Sequence, residues 1–401
     1  MRDVVVIGAG PAGSLAARRL AAAGRDVLVL EEHDVIGQPV HCTGLVGADA
    51  FTEFNLPQSL VLGDAGGVRF WGARGDSVPV QRGRVAAVVI DRAALDAHLA
   101  DEAARAGAEI RRGCRAEHVA VSAGEVRVTT NTGDQPIAAR SVVLACGASY
   151  RFHRALGLGL PGAFLQSAQV ETPFAGLSEI EVRFGRVVAP GGFAWAVPLE
   201  RAGLACARLG LMSEDRSRER FRTFAAIVSR RAGHDVDAIP SPRLKMLPLA
   251  PVPKTYAHRV IAVGDAAGLV KPTTGGGIYY GLISGAIAAD VLDRGLERDR
   301  LDARSLSRYE ARWKQRLGQE IRVGLAFRRI AAGLDDRAID ALVDLARVNG
   351  IVPLLQRTAS FNWHRKAAVA LLTHPAFRRI ALSSLVRART PLVPADSLHL
   401  E

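Results

Sequence analysis

The 401-residue sequence predicts an α/β fold: a Rossmann-like nucleotide-binding domain with an inserted antiparallel sheet and a C-terminal helical subdomain. Three patterns predict it: glycine-rich turns after apolar strands, alternating apolar segments between those turns, and helical spacing after residue 301. The predicted ranges are 1–66, 82–155 and 250–300 for the nucleotide-binding domain, 67–81 and 156–249 for the sheet, and 301–401 for the helical region.

The first glycine-rich turn, Gly8-Ala9-Gly10-Pro11-Ala12-Gly13, lies between a strand predicted at 4–7 and a helix predicted at 14–23. A second strand, predicted at 27–30, ends at Glu31, which completes the order of a dinucleotide-binding fingerprint. In that fingerprint Gly8 forms the turn, Gly10 admits a pyrophosphate and Gly13 lets helix and strand pack. Glu31 can accept hydrogen bonds from ribose hydroxyls. The pattern alone does not distinguish FAD from NAD.

A second glycine-rich stretch spans residues 260–292. A buried strand is predicted at 260–263, a break follows at Gly264-Asp265, and Gly275-Gly276-Gly277 opens a helix of small residues at Ile278. Asp265 can accept a hydrogen bond from a sugar hydroxyl. The three glycines allow a ligand to approach the helix N-terminus, where exposed N–H groups stabilise negative charge. This stretch therefore predicts a second ligand-binding element.

The amino-acid composition limits which binding partners and which cellular compartment are expected. The net charge is +12, but the basic residues are scattered and form no long run, so nucleic acid is not an expected partner. The four cysteines have neither metal-type spacing nor the density of a disulfide scaffold, and the histidines form no cluster, so no metal is expected. The chain shows no signal-peptide pattern and no apolar run of about 18 residues. A cytoplasmic protein is expected.

Together the two glycine-rich stretches resemble the flavoprotein group of p-hydroxybenzoate hydroxylase and the geranylgeranyl reductases. The resemblance rests on two motifs: GAGPAGS, which contains Ala12, and GDAAG, which begins at Gly264. The resemblance implies one FAD extended between them. Asp91-Arg92-Ala93-Ala94-Leu95-Asp96 resembles the group's helix start, in which the arginine sits near the flavin; an ordinary N-cap with a surface arginine is the alternative. Ala116 falls where the family's backbone contacts the adenine.

Three segments sharpen the resemblance to the geranylgeranyl reductase branch. They are GQPVHCTG at 37–44, with Cys42 near the flavin, KPTTGGGIYYG at 271–281, and GFAWAVP at 192–198. In the last segment Phe193 and Trp195 are implied to line the prenyl site, and Val197 departs from the usual phenylalanine. Lys271 is expected to be a solvated loop lysine. Cys42 is equally compatible with a packed small residue, because exposure decides whether a thiol is reactive.

The resemblance implies FAD-dependent reduction of isolated C=C bonds in a prenyl lipid of geranylgeranyl or polyprenyl type. We expect Cys42, or a water that it orders, to assist protonation, and we expect Trp195, beside Phe193, to stabilise developing positive charge through its face. The electron donor would be NAD(P)H or a ferredoxin-type protein. An aromatic hydroxylase, a flavin halogenase and a non-catalytic prenyl-binding protein remain alternatives.

The C-terminal region has a different character. Apolar residues from Leu306 to Leu325 follow three- and four-residue spacing, and Ser307 with Glu310 fits a capping box. Residues 350–390 mix aromatic and basic side chains, among them Arg387 and Arg389. They predict either peripheral contact with an anionic membrane, on its cytoplasmic face, or a helical subdomain packed on the catalytic core with its arginines in water.

Overall fold

The computed structural model describes residues 1–81, 86–133, 135–348 and 351–385. Its strands are β1 (Arg2–Ile7), β2 (Val27–Leu30), β3 (Leu45–Gly47), β4 (Val61–Ala65), β5 (Gly67–Trp71), β6 (Ser77–Gln81), β7 (Ala87–Ile90), β8 (Glu109–Arg111), β9 (Ala116–Val121), β10 (Val126–Thr130), β11 (Ile137–Leu144), β12 (Phe164–Pro173), β13 (Ile180–Arg183), β14 (Phe193–Arg201), β15 (Leu204–Ser213), β16 (Arg243–Pro248), β17 (Tyr256–Ala257) and β18 (Val260–Ala262).

Its helices are α1 (Pro11–Ala22), α2 (Ala48–Phe54), α3 (Arg92–Arg105), α4 (Ser217–Ala232), α5 (Ile278–Glu297), α6 (Ala303–Ala332), α7 (Asp336–Val348), α8 (Ile351–Thr358), α9 (Arg365–Thr373) and α10 (Pro375–Leu385). The predicted α/β class is confirmed. The division into domain ranges remains a prediction.

The first sheet brings the two predicted glycine-rich stretches together. Its main path runs β17-β18-β11-β1-β2-β8, with β1, β2, β8, β11 and β18 parallel to one another. Ile7 pairs with Leu144, and Leu144 pairs with Ala262, so these three strands end at the same edge. Because ligands of such sheets bind at the carboxyl ends of the strands, the turns that follow β1, β11 and β18 define the site.

A second sheet of seven strands has the order β16-β12-β15-β14-β13-β5-β6. It corrects the prediction of a purely antiparallel sheet, since β13 and β5 pair in parallel. Within the predicted range 156–249, β12 and β13 are separate strands, and residues 186–188 form a turn. Phe221 and Phe224 of α4 cover one face of the sheet, which leaves the face bearing Trp195 for the site. β3, β7 and β4 form a third, small sheet.

Two long helices position the second glycine-rich stretch. α5 packs on α1 so closely that a Cβ at Gly285 would collide with the backbone of Ala12. α6 buries the predicted apolar stripe, including Trp313 and Leu317. Its N-cap is Asp302, whose carboxylate accepts from Ser305 N at 3.0 Å, so the predicted capping box at Ser307 and Glu310 is wrong.

The C-terminal helices form their own small core at the end of α6, which includes Leu334, Phe377 and Ala381. Arg378 and Arg379 of α10 are exposed to solvent. This is the packing expected of a helical subdomain. Of the predicted membrane-contact range 350–390, residues 350 and 386–390 lie outside the described residues, as do Arg387 and Arg389. Within the described chain, no helix combines the length and apolarity that a bilayer crossing requires.

Candidate cofactor and active site

A cavity of about 1460 Å³ lies between the two sheets and the C-terminal helices. The turns after β1, β11 and β18 line one part of it, and apolar side chains of β5, β13 and β14 line another. α6, α7 and α8 contribute Phe327, Leu342 and Leu355 to its wall. The cavity therefore joins a polar, glycine-rich region to an apolar one, which suits a cofactor beside an apolar ligand.

The first glycine-rich turn leaves room for a ligand where the fingerprint requires it. Gly8 has φ +106°, and a Cβ there would collide with the carbonyl of Ala145 in the turn after β11. A Cβ at Gly13 would collide with the carbonyl of Gly8, so Gly13 permits close packing of α1. Gly10, the N-cap of α1, has nothing within 4 Å of its Cβ position and faces the cavity. This cradle fits a dinucleotide pyrophosphate at a helix N-terminus.

Glu31 and Ala116 also line the cavity that this cradle faces. The buried Glu31 carboxylate accepts from Ala9 N at 2.8 Å and from His33 N at 3.1 Å. These bonds hold the carboxylate against the turn, with further lone pairs available to ribose hydroxyls. Ala116 is buried at the start of β9, and its carbonyl accepts from Arg151 at 3.3 Å. The fingerprint predicts an adenosine contact for Glu31 and the family resemblance predicts one for Ala116, and both remain predictions.

Asp265 lies beside the second glycine cluster. A Cβ at Gly277 would lie 2.5 Å from the Asp265 carboxylate, so the carboxylate requires glycine at that position. The hydroxyl of Tyr150 donates to the backbone carbonyl of Asp265 at 2.7 Å, and burial raises the pKa of Tyr150. Gly275 has φ +70°, which favours glycine.

α5 begins at Ile278 without a side-chain cap and without an acidic residue in its first turn. Its first N–H groups are therefore available to negative charge on a ligand in the cavity.

The burial of Lys271 shows that the sequence prediction for this residue is wrong. It was expected to be solvated, yet only 4% of it is exposed, and its Nζ donates to Phe361 O at 3.1 Å. Asn362 Oδ1 lies 3.4 Å from the same Nζ, and a Cβ at Gly276 would lie 2.6 Å from Lys271 Cε. Burial lowers the pKa of Lys271 to about 7. Sequence reasoning missed this residue because the segment that buries it comes some 90 positions later.

Residues 361–364, here called the closing segment, cover the flavin loop, defined as residues 271–277. His364 contacts the hydroxyl of Thr273, and Trp363 packs edge-on against Tyr279 with ring centroids 5.7 Å apart. Burial and the charge of Lys271 lower the pKa of His364 to about 3, so this imidazole is neutral at pH 7. The closing segment thus belongs to the site, which the sequence did not indicate.

Arg92 is half-buried rather than a free surface arginine. Its guanidinium makes two bonds to Asp96, at 3.0 and 2.7 Å, and both residues line the cavity. Burial alone would lower the pKa of Arg92, but the charge and the hydrogen bonds of Asp96 outweigh it and raise the pKa. Asp91 is the N-cap of α3 and accepts from Ala94 N at 3.1 Å. The N-cap interpretation is therefore confirmed for Asp91, and a position of Arg92 near the flavin remains a prediction.

Cys42 lies half-buried in the cavity wall, and its Sγ accepts from Gly44 N at 3.3 Å. The segment that carries it is held by Arg208, a completely buried residue of β15. Arg208 donates to Thr43 O at 2.8 Å and to Ile90 O at 3.0 Å, and forms an ion pair with Glu171 at 2.7 Å. An arginine among apolar residues of a strand was the available sequence signal for this support.

Trp195 and Phe193 lie on one face of β14, as predicted, with ring centroids 5.8 Å apart. The Trp195 indole N–H donates to Gln169 at 3.2 Å, and a Cβ at Gly210 would lie 2.6 Å from the Trp195 ring. The indole is therefore fixed in place. Val197, which stands where the resemblance implies a phenylalanine, is completely buried and does not line the cavity.

His41 lies beside Cys42 in the cavity wall. Burial and the charges of Lys245 and Arg243 lower its pKa to about 4, so the ring is neutral at pH 7. No group of three or more potential metal ligands occurs among the residues described.

Comparisons with known proteins agree with this geometry. The family model described as lycopene cyclase protein matches residues 3–332. Digeranylgeranylglycerophospholipid reductase 2 of Methanothermobacter thermautotrophicus is 32% identical over 359 residues, covering 85% of this chain and 90% of the relative. Digeranylgeranylglycerophospholipid reductase of Methanocaldococcus jannaschii is 30% identical, with 85% and 90% covered.

A solved structure shows the same fold. The geranylgeranyl bacteriochlorophyll reductase-like protein of Thermoplasma acidophilum superposes with a TM-score of 0.81 at 24% sequence identity. The match covers 96% of this chain and 99% of that protein. The shared architecture therefore extends through the C-terminal helices as well as the nucleotide-binding sheet.

Proposed function

This chain belongs to the geranylgeranyl reductase family of FAD-dependent oxidoreductases, and we propose that it reduces isolated carbon–carbon double bonds of a prenyl lipid. The observation that carries the proposal is the single cavity in which two glycine-rich cradles open onto an apolar wall. The prenyl chain is of geranylgeranyl or polyprenyl type, in keeping with the names of the relatives.

The residues that would hold FAD are distributed along both cradles. They are Gly8, Gly10, Ala12, Gly13, Glu31, Cys42, Arg92, Ala116, Asp265, Gly275, Gly276, Gly277 and Ile278. The open space at Gly10 and the uncapped N-terminus of α5 support this assignment. Bound FAD, once reduced, supplies a hydride equivalent.

This chain supplies the proton and the environment. An isolated double bond accepts hydride only when a proton reaches its other carbon, because no neighbouring group takes up a carbanion's charge. Cys42, or a water bound to it, delivers that proton. The face of Trp195 stabilises the positive charge that develops, and Phe193 helps to exclude water. Fixing the indole between Gln169 and Gly210 favours this role, because the face needs no rearrangement.

The electron donor is proposed to be NAD(P)H or a ferredoxin-type protein. A peripheral contact of residues 350–390 with the membrane is likewise a proposal, supported by the exposed Arg378 and Arg379.

The test is anaerobic reduction. The purified FAD-loaded protein is reduced with dithionite under strict exclusion of oxygen and offered geranylgeranyl phosphate and geranylgeraniol. Mass spectrometry should show a gain of two hydrogens for each double bond reduced. Turnover that occurs only in air would indicate a hydroxylase instead, and halide-dependent products would indicate a halogenase. The same assay with NADPH or a reduced ferredoxin in place of dithionite identifies the donor.

A further inference from the structure

Arg328 of α6 places a buried positive charge in the wall of the cavity. Only 9% of this residue is exposed, and its Nη1 donates to Pro272 O at 3.3 Å while its Nη2 donates to Gly191 O. Within the described chain it forms no ion pair with a carboxylate. Burial lowers the pKa of Arg328 to about 10, so the guanidinium remains charged at pH 7. Burying a cation whose only hydrogen-bond partners are carbonyl oxygens costs free energy, which suggests that a bound anion neutralises the charge of Arg328.

Positive charge also occurs elsewhere in the lining of this cavity. Arg186 and Arg218 are exposed, line the same cavity, and form no ion pair in the part of the chain that the structure describes. Both lie near the turn at 185–192: Arg186 belongs to it, and Arg218 lies in the first turn of α4, whose Arg220 donates to the carbonyls of Arg186 and Val187. The cavity lining therefore includes two exposed arginines in addition to the buried Arg328.

The nearby carboxylates do not form an ion pair with Arg328 in the part of the chain that the structure describes. Glu214 attracts Arg328 electrostatically without pairing with it, and it packs against Gly191, where a Cβ would collide with its carboxylate. Asp215 pairs with Arg220 at 3.3 Å, and Asp336 accepts from Arg186 N at 2.7 Å. A guanidinium offers five N–H donors, of which the two carbonyls use two. Donors therefore remain for a ligand.

We propose that Arg328, with Arg186 and Arg218 at the approach, binds the phosphate group of the lipid whose prenyl chain occupies the cavity. This inference rests on the proposed function, because it assumes a prenyl ligand. Phosphate suits the site since a planar guanidinium binds it through paired, charge-assisted hydrogen bonds. The apolar residues Phe327 and Leu342, which line the cavity beside α6, lie where an attached chain would begin.

The test compares two ligands that differ only in the phosphate. Geranylgeranyl phosphate and geranylgeraniol are titrated into the FAD-loaded, oxidised protein without reductant, and binding is followed by the change in the flavin absorbance. The wild type should bind the phosphate at least about tenfold more tightly than the alcohol. Arg328→Gln should abolish this preference while leaving alcohol binding unchanged, and Arg328→Lys should retain part of it. Because no turnover occurs, the result does not depend on whether the bond is later reduced.

Arg329→Gln is the matched control, since Arg329 is the next residue of α6 and is exposed. It should leave the preference intact. Inorganic phosphate should displace geranylgeranyl phosphate only weakly, at least about a hundredfold higher in concentration, because it lacks the chain.

Four results would overturn the proposal. They are an equal preference in Arg328→Gln and wild type, a parallel loss of affinity for both ligands, a loss of FAD from Arg328→Gln, and inorganic phosphate competing as strongly as the prenyl phosphate. A parallel loss would mark Arg328 as a structural link between loops, and loss of FAD would mark its anion as the cofactor.

Discussion

The ammonium of Lys271 lies 4.1 Å from the centroid of the Phe361 ring and donates to the carbonyl of the same residue. The two residues are 90 positions apart in the chain. Asn362 extends the contact, since its side-chain oxygen faces Lys271 while its amide contacts Asp49. The flavin loop and the closing segment therefore form one unit.

A double-mutant cycle measures this link. Phe361→Leu removes the ring face and Lys271→Met removes the charge, so the two changes should couple by about 0.5–2 kcal/mol in the free energy of unfolding. Urea denaturation of the wild type, both single variants and the double variant gives the coupling. Phe377→Leu, in the core of the C-terminal helices, should instead be additive with Lys271→Met. Additivity of the Phe361 variant would mean that the ring does not stabilise the ammonium.

Lys271 should also give the stability a characteristic pH dependence. Because burial lowers its pKa from 10.5 to about 7, the unfolded chain binds a proton between these values that the native protein lacks. The free energy of unfolding should therefore rise with pH across this window, by up to about 1.4 kcal/mol per unit. Lys271→Met removes that slope. The free energy of unfolding of the variant, compared with that of the wild type, should therefore be most favourable below pH 7.

Urea unfolding at about pH 6, 7.5 and 9 measures this difference. Lys366→Met is the control, since Lys366 is exposed, and it should leave the slope unchanged. A constant difference between Lys271→Met and the wild type at all three pH values would show that Lys271 keeps its ordinary pKa.

Gly10→Ala should weaken FAD binding without unfolding the protein. A Cβ at this position meets no protein atom within 4 Å, so the apo fold tolerates it, but the methyl group occupies the space left for the pyrophosphate. We expect the Kd for FAD to rise at least about tenfold, measured by recovery of flavin fluorescence. Gly124→Ala, which also adds a methyl group in open space, should bind FAD normally. Equal affinity of Gly10→Ala and Gly124→Ala for FAD would contradict the assignment of Gly10 to the pyrophosphate site.

Cys42→Ser should slow double-bond reduction by about tenfold or more while FAD binds as in the wild type, because a hydroxyl is a weaker proton donor than a thiol. The serine oxygen can still accept from Gly44 N, so the local backbone is retained. Anaerobic product formation and the flavin absorbance spectrum are the two readouts. Cys206→Ser, in buried β15, should keep full activity. Full activity of Cys42→Ser would exclude the thiol from protonation.

The nucleotide-binding half could be predicted because its signals are local. The strands on either side of Gly8, and Glu31 at the end of β2, are set by short patterns with a fixed backbone role. The pairing of β1, β11 and β18 then carries those turns to one edge.

Lys271 and Arg328 could not be assigned in the same way. Lys271 sits among polar and glycine residues, and its burial depends on Phe361 and Asn362. Arg328 did leave a signal, since with Ile321 and Gly324 it continues the buried stripe of α6. Helical spacing shows that this arginine lies on the buried face of α6. It does not show which groups surround the charge, because those come from other parts of the chain.

The closing segment also sets an order of assembly. Residues 361–364 emerge from the ribosome after all the strands of the three sheets. A nascent chain that ends before them therefore lacks the contacts of Phe361 to Lys271 and of His364 to Thr273. In such a chain the Lys271 ammonium lacks the carbonyl and the ring of Phe361 as partners. A chain cut short before residue 361 would therefore have a cavity without the contacts of Phe361 and Asn362 to Lys271.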